Sequence, residues 1–298
     1  MQFLRLGAFV LALAPLCSAQ VLKTAVWSES VAGGLEVSVG GEAAVVRSVQ
    51  TAEDHLILLL VMDTVRFADR VDAAQAALLA KLTSLGPKYF AGVMSAQDGL
   101  RVVLDPVRGR TRLREKLQSL DVRGVPGLMD VVEQVSEIAD QTLASSDVRV
   151  AVLFVTDGEI EDYRGDYTIP VVNPSDRSDL SRRFRSQLIL ERVQSIADRL
   201  ERAQAPLFFL HLARQYDALN EVYQNGISEF AQTTGGRAMF VRGVQEIPAV
   251  VEQLLDEIAA HSVVTIETGC EGIHKLEIRS TAGSIRHRET VRCPSAGS

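Results

Sequence analysis

The chain has no excess of positive charge. Its 298 residues hold 31 Lys and Arg against 38 Asp and Glu, a formal charge of −7 at pH 7. With a pI near 5.4, it lacks the basic surface that general binding to nucleic acid or to an anionic membrane requires. After residue 20 no apolar run reaches the roughly eighteen residues of a transmembrane helix, so no integral span is expected. Catalytic signatures are missing as well. There is no Gly-x-Ser-x-Gly elbow, no glycine-rich phosphate loop behind a strand and no His-Glu-x-x-His. The five histidines, His55, His211, His261, His274 and His287, are scattered.

Cysteine is scarce, with three in all. Cys17 falls in an N-terminal targeting segment over residues 1–19, in which Arg5 precedes an apolar run and Cys17-Ser18-Ala19 offers small residues for cleavage before Gln20. A lipoprotein reading, with Cys17 acylated, is disfavoured by the bulk of Leu16. The mature protein is therefore expected outside the cytoplasm, periplasmic or extracellular. Cys270 and Cys293 remain. In an oxidising compartment such a pair suggests one disulfide, and closing a loop of that size contributes about 3 kcal/mol in the chain-entropy model. Two cysteines without CxxC spacing make a poor zinc site, although His274 and His287 lie between them.

What the chain does have is apolar sequence, 47% of its residues, enough for one large α/β domain and a small appendage. The organising stretch is Leu56-Ile57-Leu58-Leu59-Leu60-Val61-Met62-Asp63, an unbroken apolar run that ends in a carboxylate. Such a run reads as a strand buried on both faces at the centre of a parallel sheet. A second copy runs from Val148 to Thr156 and delivers Asp157-Gly158. Ligand sites in open α/β sheets lie at the carboxyl ends of such strands.

Periodicity predicts helices over 68–85, 110–120, 128–143, 180–203, 227–233 and 247–260, and further strands over 89–94, 99–104, 206–212 and 238–241. The short spacing between 89–94 and 99–104 predicts an antiparallel edge. Residues 20–54 read as a small hairpin or extended lead-in, 55–261 as the α/β domain, and 262–298 as a β tail of three short strands. The irregular stretch 159–179 is long for a compact domain and reads as a functional or mobile loop.

The ordered set of Leu58-to-Asp63, the Gly124-to-Asp130 loop, Leu153-to-Gly158 and Thr233-Thr234-Gly235-Gly236 resembles the von Willebrand factor type A family. With the leader and the β tail, the chain looks most like the exported type A-related proteins of Acidobacteria. The resemblance implies a Rossmann-like fold, a mostly parallel six-stranded sheet flanked by helices, here with a small antiparallel C-terminal tail. It also implies a metal-ion-dependent adhesion site at the carboxyl edge, built from Asp-x-Ser-x-Ser, a threonine and a further aspartate.

Here that pattern is degenerate. The serine positions hold Val65 and Phe67, and the threonine position falls on Val125 or Pro126, none of which has a side-chain oxygen. Asp63 and Asp157 remain as metal ligands, with the hydroxyls of Thr64 and Thr156 expected to point elsewhere. Mg²⁺ wants six oxygens but keeps several waters, so two carboxylates would hold it only weakly; no cofactor is expected. Two unpaired carboxylates would raise each other's pKa, which suggests that a guanidinium from Arg66 or Arg123 replaces the lost cation. The alternative is that both aspartates cap helix amino termini.

The expected function is non-enzymatic: an exported binding, adhesion or scaffolding protein whose protein ligand engages Thr64, Gly158, Glu159, Glu161 and Asp162 beside Asp63 and Asp157. The acidic loop would suit a basic partner or weakly bound calcium, unless it is simply a solvated acidic segment. A structural envelope component docking through the β tail is the alternative. A hydrolase using Asp63, Asp157 and His211 is the distant one.

Overall fold

A computed structural model describes residues 20–28, 34–163, 185–281 and 283–293. The expected targeting segment with Cys17, and most of the stretch 159–179 expected to be a loop, lie outside these residues. Strands β1 (Gln20–Trp27), β2 (Leu35–Val39) and β3 (Glu42–Gln50) come first. Next are β4 (Leu56–Asp63), α1 (Ala68–Ser84), β5 (Tyr89–Ser95), β6 (Arg101–Val107), α2 (Arg110–Gln118) and α3 (Leu128–Ser145). Then follow β7 (Arg149–Thr156), α4 (Arg185–Leu200), β8 (Leu207–His211), α5 (Ala218–Thr234), β9 (Ala238–Phe240) and α6 (Ile247–Ala260). The chain closes with β10 (Ser262–Thr268), β11 (Gly272–Ser280), β12 (Arg286–His287) and β13 (Thr290–Cys293).

The central run behaves as its apolarity demands. β4 lies inside a six-stranded sheet of order β6-β5-β4-β7-β8-β9, parallel except for the β6 edge. Its side chains alternate between two cores. Leu59 and Val61 pack with the buried stripes of α3, α4 and α5, while Leu58, Leu60 and Met62 pack with those of α1 and α6. Burying each such side chain contributes about 1.5–3 kcal/mol, so a polar substitution in β4 would weaken the layer that its side chain faces. The winding reverses between β4 and β7, since β5 and β6 extend one way and β8 and β9 the other. A reversal of this kind opens a crevice at the carboxyl ends of the two strands. Asp63 and Asp157 stand on either side of it.

Helix α5 is longer than the sequence suggests. Asp217 caps it, accepting from Leu219 N and Asn220 N. Gly226 in its middle is a packing device, because a Cβ there would lie 2.4 Å from Val193 Cγ2 of α4.

The β tail is not a small appendage. It joins the lead-in in one seven-stranded antiparallel sheet of order β12-β1-β10-β3-β2-β11-β13. β1, which the lead-in reading did not resolve as a strand, pairs with β10 over Gln20–Val26 and Ser262–Thr268. The two outermost strands are nearly continuous in sequence. β12 pairs with β1, β13 pairs with β11, and only Arg288 and Glu289 separate them. The last strand therefore bends at Arg288 and bridges both ends of the sheet, which curls around its own core of Leu22, Val26, Val39, Val264, Ile266 and Leu276. Cys270 and Cys293 are bonded, Cα to Cα 5.8 Å, and clip β11 to β13.

The two sheets meet at the amino edge of β4 and β7. Buried Arg149, the first residue of β7, donates to Ala52 O (3.1 Å) and Asp54 O (2.9 Å), on the connection entering the parallel sheet. It also donates to Ala259 O (2.9 Å) and His261 O (2.6 Å), on the connection leaving it. A buried guanidinium without a carboxylate is costly unless its N–H groups are satisfied; here four carbonyls from both connections take the Nη1 and Nη2 donors, and Nε alone has no partner among the described residues. On the other side of the seam, Arg288 donates to Ala203 O and Glu201 O, while Asp140 accepts from Gln204 N (2.9 Å) and Ala205 N (2.8 Å).

Candidate functional site

The crevice at the switch point is bounded by the loop after β4, the loop before α3 and the loop after β7. Each aspartate reaches across it to hold the loop opposite. Asp63, fully buried, accepts from Gly127 N (2.8 Å) at Oδ1, and from Leu128 N (3.3 Å) and the Thr156 hydroxyl (3.1 Å) at Oδ2. It thereby serves the open N–H groups at the start of α3, where the helix dipole favours negative charge. The Gly127 loop can come so close only because it lacks a side chain: a Cβ there would sit 2.0 Å from Ala96 O.

Asp157, equally buried, accepts from Val65 N (2.6 Å) at Oδ1, and from Arg66 N (3.0 Å) and Phe67 N (2.7 Å) at Oδ2. Three successive amides of the loop entering α1 converge on one carboxylate. Phe67, the N-cap residue of α1, offers no side-chain cap, and Asp157 supplies the acceptor from a different strand.

Burial pushes the Asp63 carboxyl up to about 6, against the lowering effect of its hydrogen bonds to Gly127, Thr156 and Leu128; the neighbouring Asp157 charge adds to the rise. Behind Thr156, Tyr163 and Tyr223 share a buried hydroxyl–hydroxyl bond of 3.0 Å. The Thr156 hydroxyl thus points into the site, contrary to expectation. The Thr64 hydroxyl does face away, toward the Gln97 amide at 3.3 Å, which also donates to Thr64 O and Asp121 O.

The guanidinium expected between the carboxylates stands elsewhere. Arg66 is held at 3.0 Å by both Glu159 and Asp162, and Arg123 at 2.8 Å by Asp121. Among the described residues neither forms an ion pair with Asp63 or Asp157. The physical reason is local: the carboxylates are already saturated by backbone N–H groups, whereas Glu159 and Asp162 lie nearer the surface. Of the expected binding edge, Thr64 and Gly158 are buried; Glu159 and Asp162 are engaged by Arg66 and by a reciprocal capping box around Ile160–Asp162. Exposed Glu161 faces Arg185 at 3.5 Å.

His211 is buried too. Its Nε2 donates to Gly158 O (3.2 Å) and its Nδ1 accepts from Ala213 N (3.2 Å), which fixes one neutral tautomer. Burial lowers its pKa to about 4. With both nitrogens hydrogen-bonded to backbone and the ring buried, His211 is held in a structural position.

No protein-family model and no curated protein matches the sequence. Solved structures do match by shape. The pilus adhesin SpaC from Lactobacillus rhamnosus GG, in an open conformation, aligns with 93% of this chain at a TM-score of 0.50 and 11% identity; the aligned part is 48% of the adhesin. A von Willebrand factor type A protein from Catenulispora acidiphila aligns with 91% of this chain and 72% of its own, at a TM-score of 0.47 and 11% identity. The PilB minor pilin from Streptococcus sanguinis aligns with 72% of this chain and 63% of its own, at 0.48 and 12%. The chain thus spans about half the length of the adhesin, and at such identities the likeness is one of fold. The fold resembles that of a von Willebrand factor type A domain.

Within a type A fold, the crevice between β4 and β7 is where a metal-ion-dependent site would stand. The residues present do not fit Mg²⁺. A hard cation needs about six oxygens around it, and Val65, Phe67, Val125 and Pro126 provide no side-chain oxygen. All four carboxylate oxygens of Asp63 and Asp157 already accept from N–H or O–H donors, whose hydrogens present positive charge to the same space. Among the described residues no group of three His, Cys, Asp or Glu side chains is placed to hold a metal ion. Missing side-chain oxygens were legible in the sequence. The backbone donors that take their place were not, because an N–H group leaves no mark in a sequence.

Proposed function

We propose that this chain is an exported, non-enzymatic binding module whose protein ligand engages the carboxyl edge of the type A sheet without a metal ion. The observation that carries this reading is the crosswise capping of two loops by Asp63 and Asp157, which spends on backbone amides the oxygens a cation would need. The edge is preorganised by these bonds and by the Arg66 clamp on Glu159 and Asp162, so the surface is rigid before any ligand arrives, which lowers the ordering cost of association. The Cys270–Cys293 bond supports an oxidising compartment, and hence export. Among the described residues no helix is long and apolar enough to cross a membrane.

The two rival readings have less support. The β tail is committed to pairing with β1, β2 and β3 and to the seam at Arg288, so it is not a free strand awaiting a neighbour. The hydrolase reading loses its base, since His211 is locked between Gly158 O and Ala213 N. The test is retention of exported partner proteins on the immobilised full chain, with chelator or with Mg²⁺. Retention that is unchanged by chelator and lost on charge reversal at the carboxyl edge supports the proposal. Retention only in the presence of divalent cation contradicts it.

A further inference from the structure

Charge is unevenly compensated along the carboxyl edge. On the β7 side the carboxylates are spoken for, Glu159 and Asp162 by Arg66 and Glu161 by Arg185. On the β8–β9 side the reverse holds: among the described residues, Arg70, Arg214 and Arg242 form no ion pair. Arg70, in the first turn of α1, rests Nη1 on Leu212 O (2.6 Å) and Nη2 on Arg242 O (3.4 Å), two carbonyls that orient its head without cancelling its charge. Arg214 is exposed and lies over the rings of Tyr216 (5.7 Å) and Phe240 (6.0 Å). Arg242 is exposed as well, and only its backbone N–H meets a carboxylate, Glu246 at 3.1 Å.

Backbone bonds hold the three together. Arg214 N donates to Val241 O and Val241 N to His211 O, each at 2.9 Å, and the Arg70 head bridges residues 212 and 242. Phe67 completes the patch, with the Arg70 guanidinium 5.0 Å from its ring centre. Tyr216 is 64% exposed, which is high for a large aromatic side chain with no apolar cover. Three carboxylates stand near the patch, and among the described residues none forms an ion pair with its arginines: Asp217 caps α5, Glu246 takes the Arg242 amide, and Asp69 sits exposed in the first turn of α1.

We infer that the Arg70–Arg214–Arg242 surface, framed by Phe67, Tyr216 and Phe240, is the docking site of the protein ligand, and that the ligand presents a short acidic peptide segment there. This rests on the carboxyl edge being the binding face, and it gives that face a partner chemistry opposite to the basic one its acidic loop suggested. Guanidinium groups take carboxylates through paired N–H donors, and arginine and tyrosine dominate the energetic centres of protein interfaces. The acidic whole decides between anions. At physiological salt, charges beyond about 8 Å are largely screened, so a few carboxylates laid on the patch feel the arginines. An extended polyanion or an anionic bilayer would also meet the rest of a chain of charge −7.

The test uses the full mature chain and fluorescence anisotropy with a labelled peptide rich in Asp and Glu and carrying one aromatic residue. Its Lys counterpart and vesicles of phosphatidylglycerol are run beside it. Two double variants are compared: Arg214→Glu with Arg242→Glu in the patch, and Arg101→Glu with Arg123→Glu on the far side of the same edge. All four positions are exposed, and melting curves confirm that each variant is folded. The expected result is salt-sensitive binding of the acidic peptide, weakened about tenfold or more by the patch variant and unchanged by the far-side variant. Equal binding by the patch variant, preference for the Lys peptide, or Arg214- and Arg242-dependent binding of vesicles but not of peptide would each overturn the inference. Loss in the far-side variant alone overturns the placement yet leaves the carboxyl edge as the binding face. Binding that ignores both variants removes both.

Discussion

Truncating Asp157 to alanine separates a structural cap from a metal ligand. The carboxylate accepts three backbone N–H groups, at 2.6, 3.0 and 2.7 Å, in a position fully shielded from solvent. A hydrogen bond to a charged group contributes about 1.5–3 kcal/mol net. Three at the low end would come to about 4–5 kcal/mol, but two effects reduce the loss. Water reaches the Arg66 and Phe67 amides once the side chain is gone, and Asp63 is freed from the repulsion that adds to its raised pKa. We therefore expect Asp157→Ala to cost about 3 kcal/mol, or about 6–9 °C in Tm for a chain of this size. Asp157→Asn, which keeps one acceptor oxygen, should lose about half as much. Thermal unfolding followed by circular dichroism, in chelator and again in excess Mg²⁺, provides the readout. The loss should be the same in both. A variant as stable as wild type in chelator, but lacking a Mg²⁺-dependent rise that wild type shows, would refute the capping account.

Three other outcomes follow from buried groups elsewhere. The Asp63 and Asp140 carboxyls are raised from 3.8 to about 6, so the folded state takes up their protons first and gains stability as pH falls from about 6 toward 4. His211 and His261 are lowered from 6.5 to about 4 and about 3, so the unfolded state takes up their protons first and stability is lost over the same window. Urea denaturation of wild type should therefore vary little between pH 6 and 4, with Asp63→Asn tilting the profile toward loss on acidification and His261→Gln toward gain. Arg149→Met removes four bonds to carbonyls on both connections between the sheets; it should cost about 3 kcal/mol and raise hydrogen exchange at residues 52–54 and 259–261 ahead of the central strands. Cys270→Ser, like reduction of wild type, should cost about 3 kcal/mol for a loop spanning a separation of 23 residues, read from the urea midpoint.

How far the sequence reaches differs from element to element. β4 and β7 were legible because a strand buried on both faces cannot avoid an unbroken apolar run, and both runs end in Asp. The β6 edge was legible from the short connection after β5. β1 was not read as a strand, although Leu22, Thr24 and Val26 alternate inward, because its partner β10 lies some 240 residues away and no local pairing marks it. The closure at β12 and β13 depends on a bend at Arg288 whose cause, a grip on Glu201 and Ala203, belongs to the tertiary structure. At the site, Val65 and Phe67 declared what was missing, while the amides that saturate Asp157 are the backbone of those same residues. Arg66 and Arg123 were plausible cation substitutes by sequence proximity alone; sequence does not show that Glu159 and Asp162 lie within reach of Arg66, whereas Asp121, two residues from Arg123, was in view. Arg70, Arg214 and Arg242 come from three separate segments and meet only when β8, β9 and α1 are laid side by side.

The central claim is that Asp63 and Asp157 are spent on the backbone and hold no cation. Isothermal titration of the full chain with Mg²⁺, and separately with Mn²⁺, tests it most directly. The account predicts heats of dilution alone, with no saturable uptake. Stoichiometric binding of one ion per chain, abolished by Asp63→Asn and by Asp157→Asn, would contradict it.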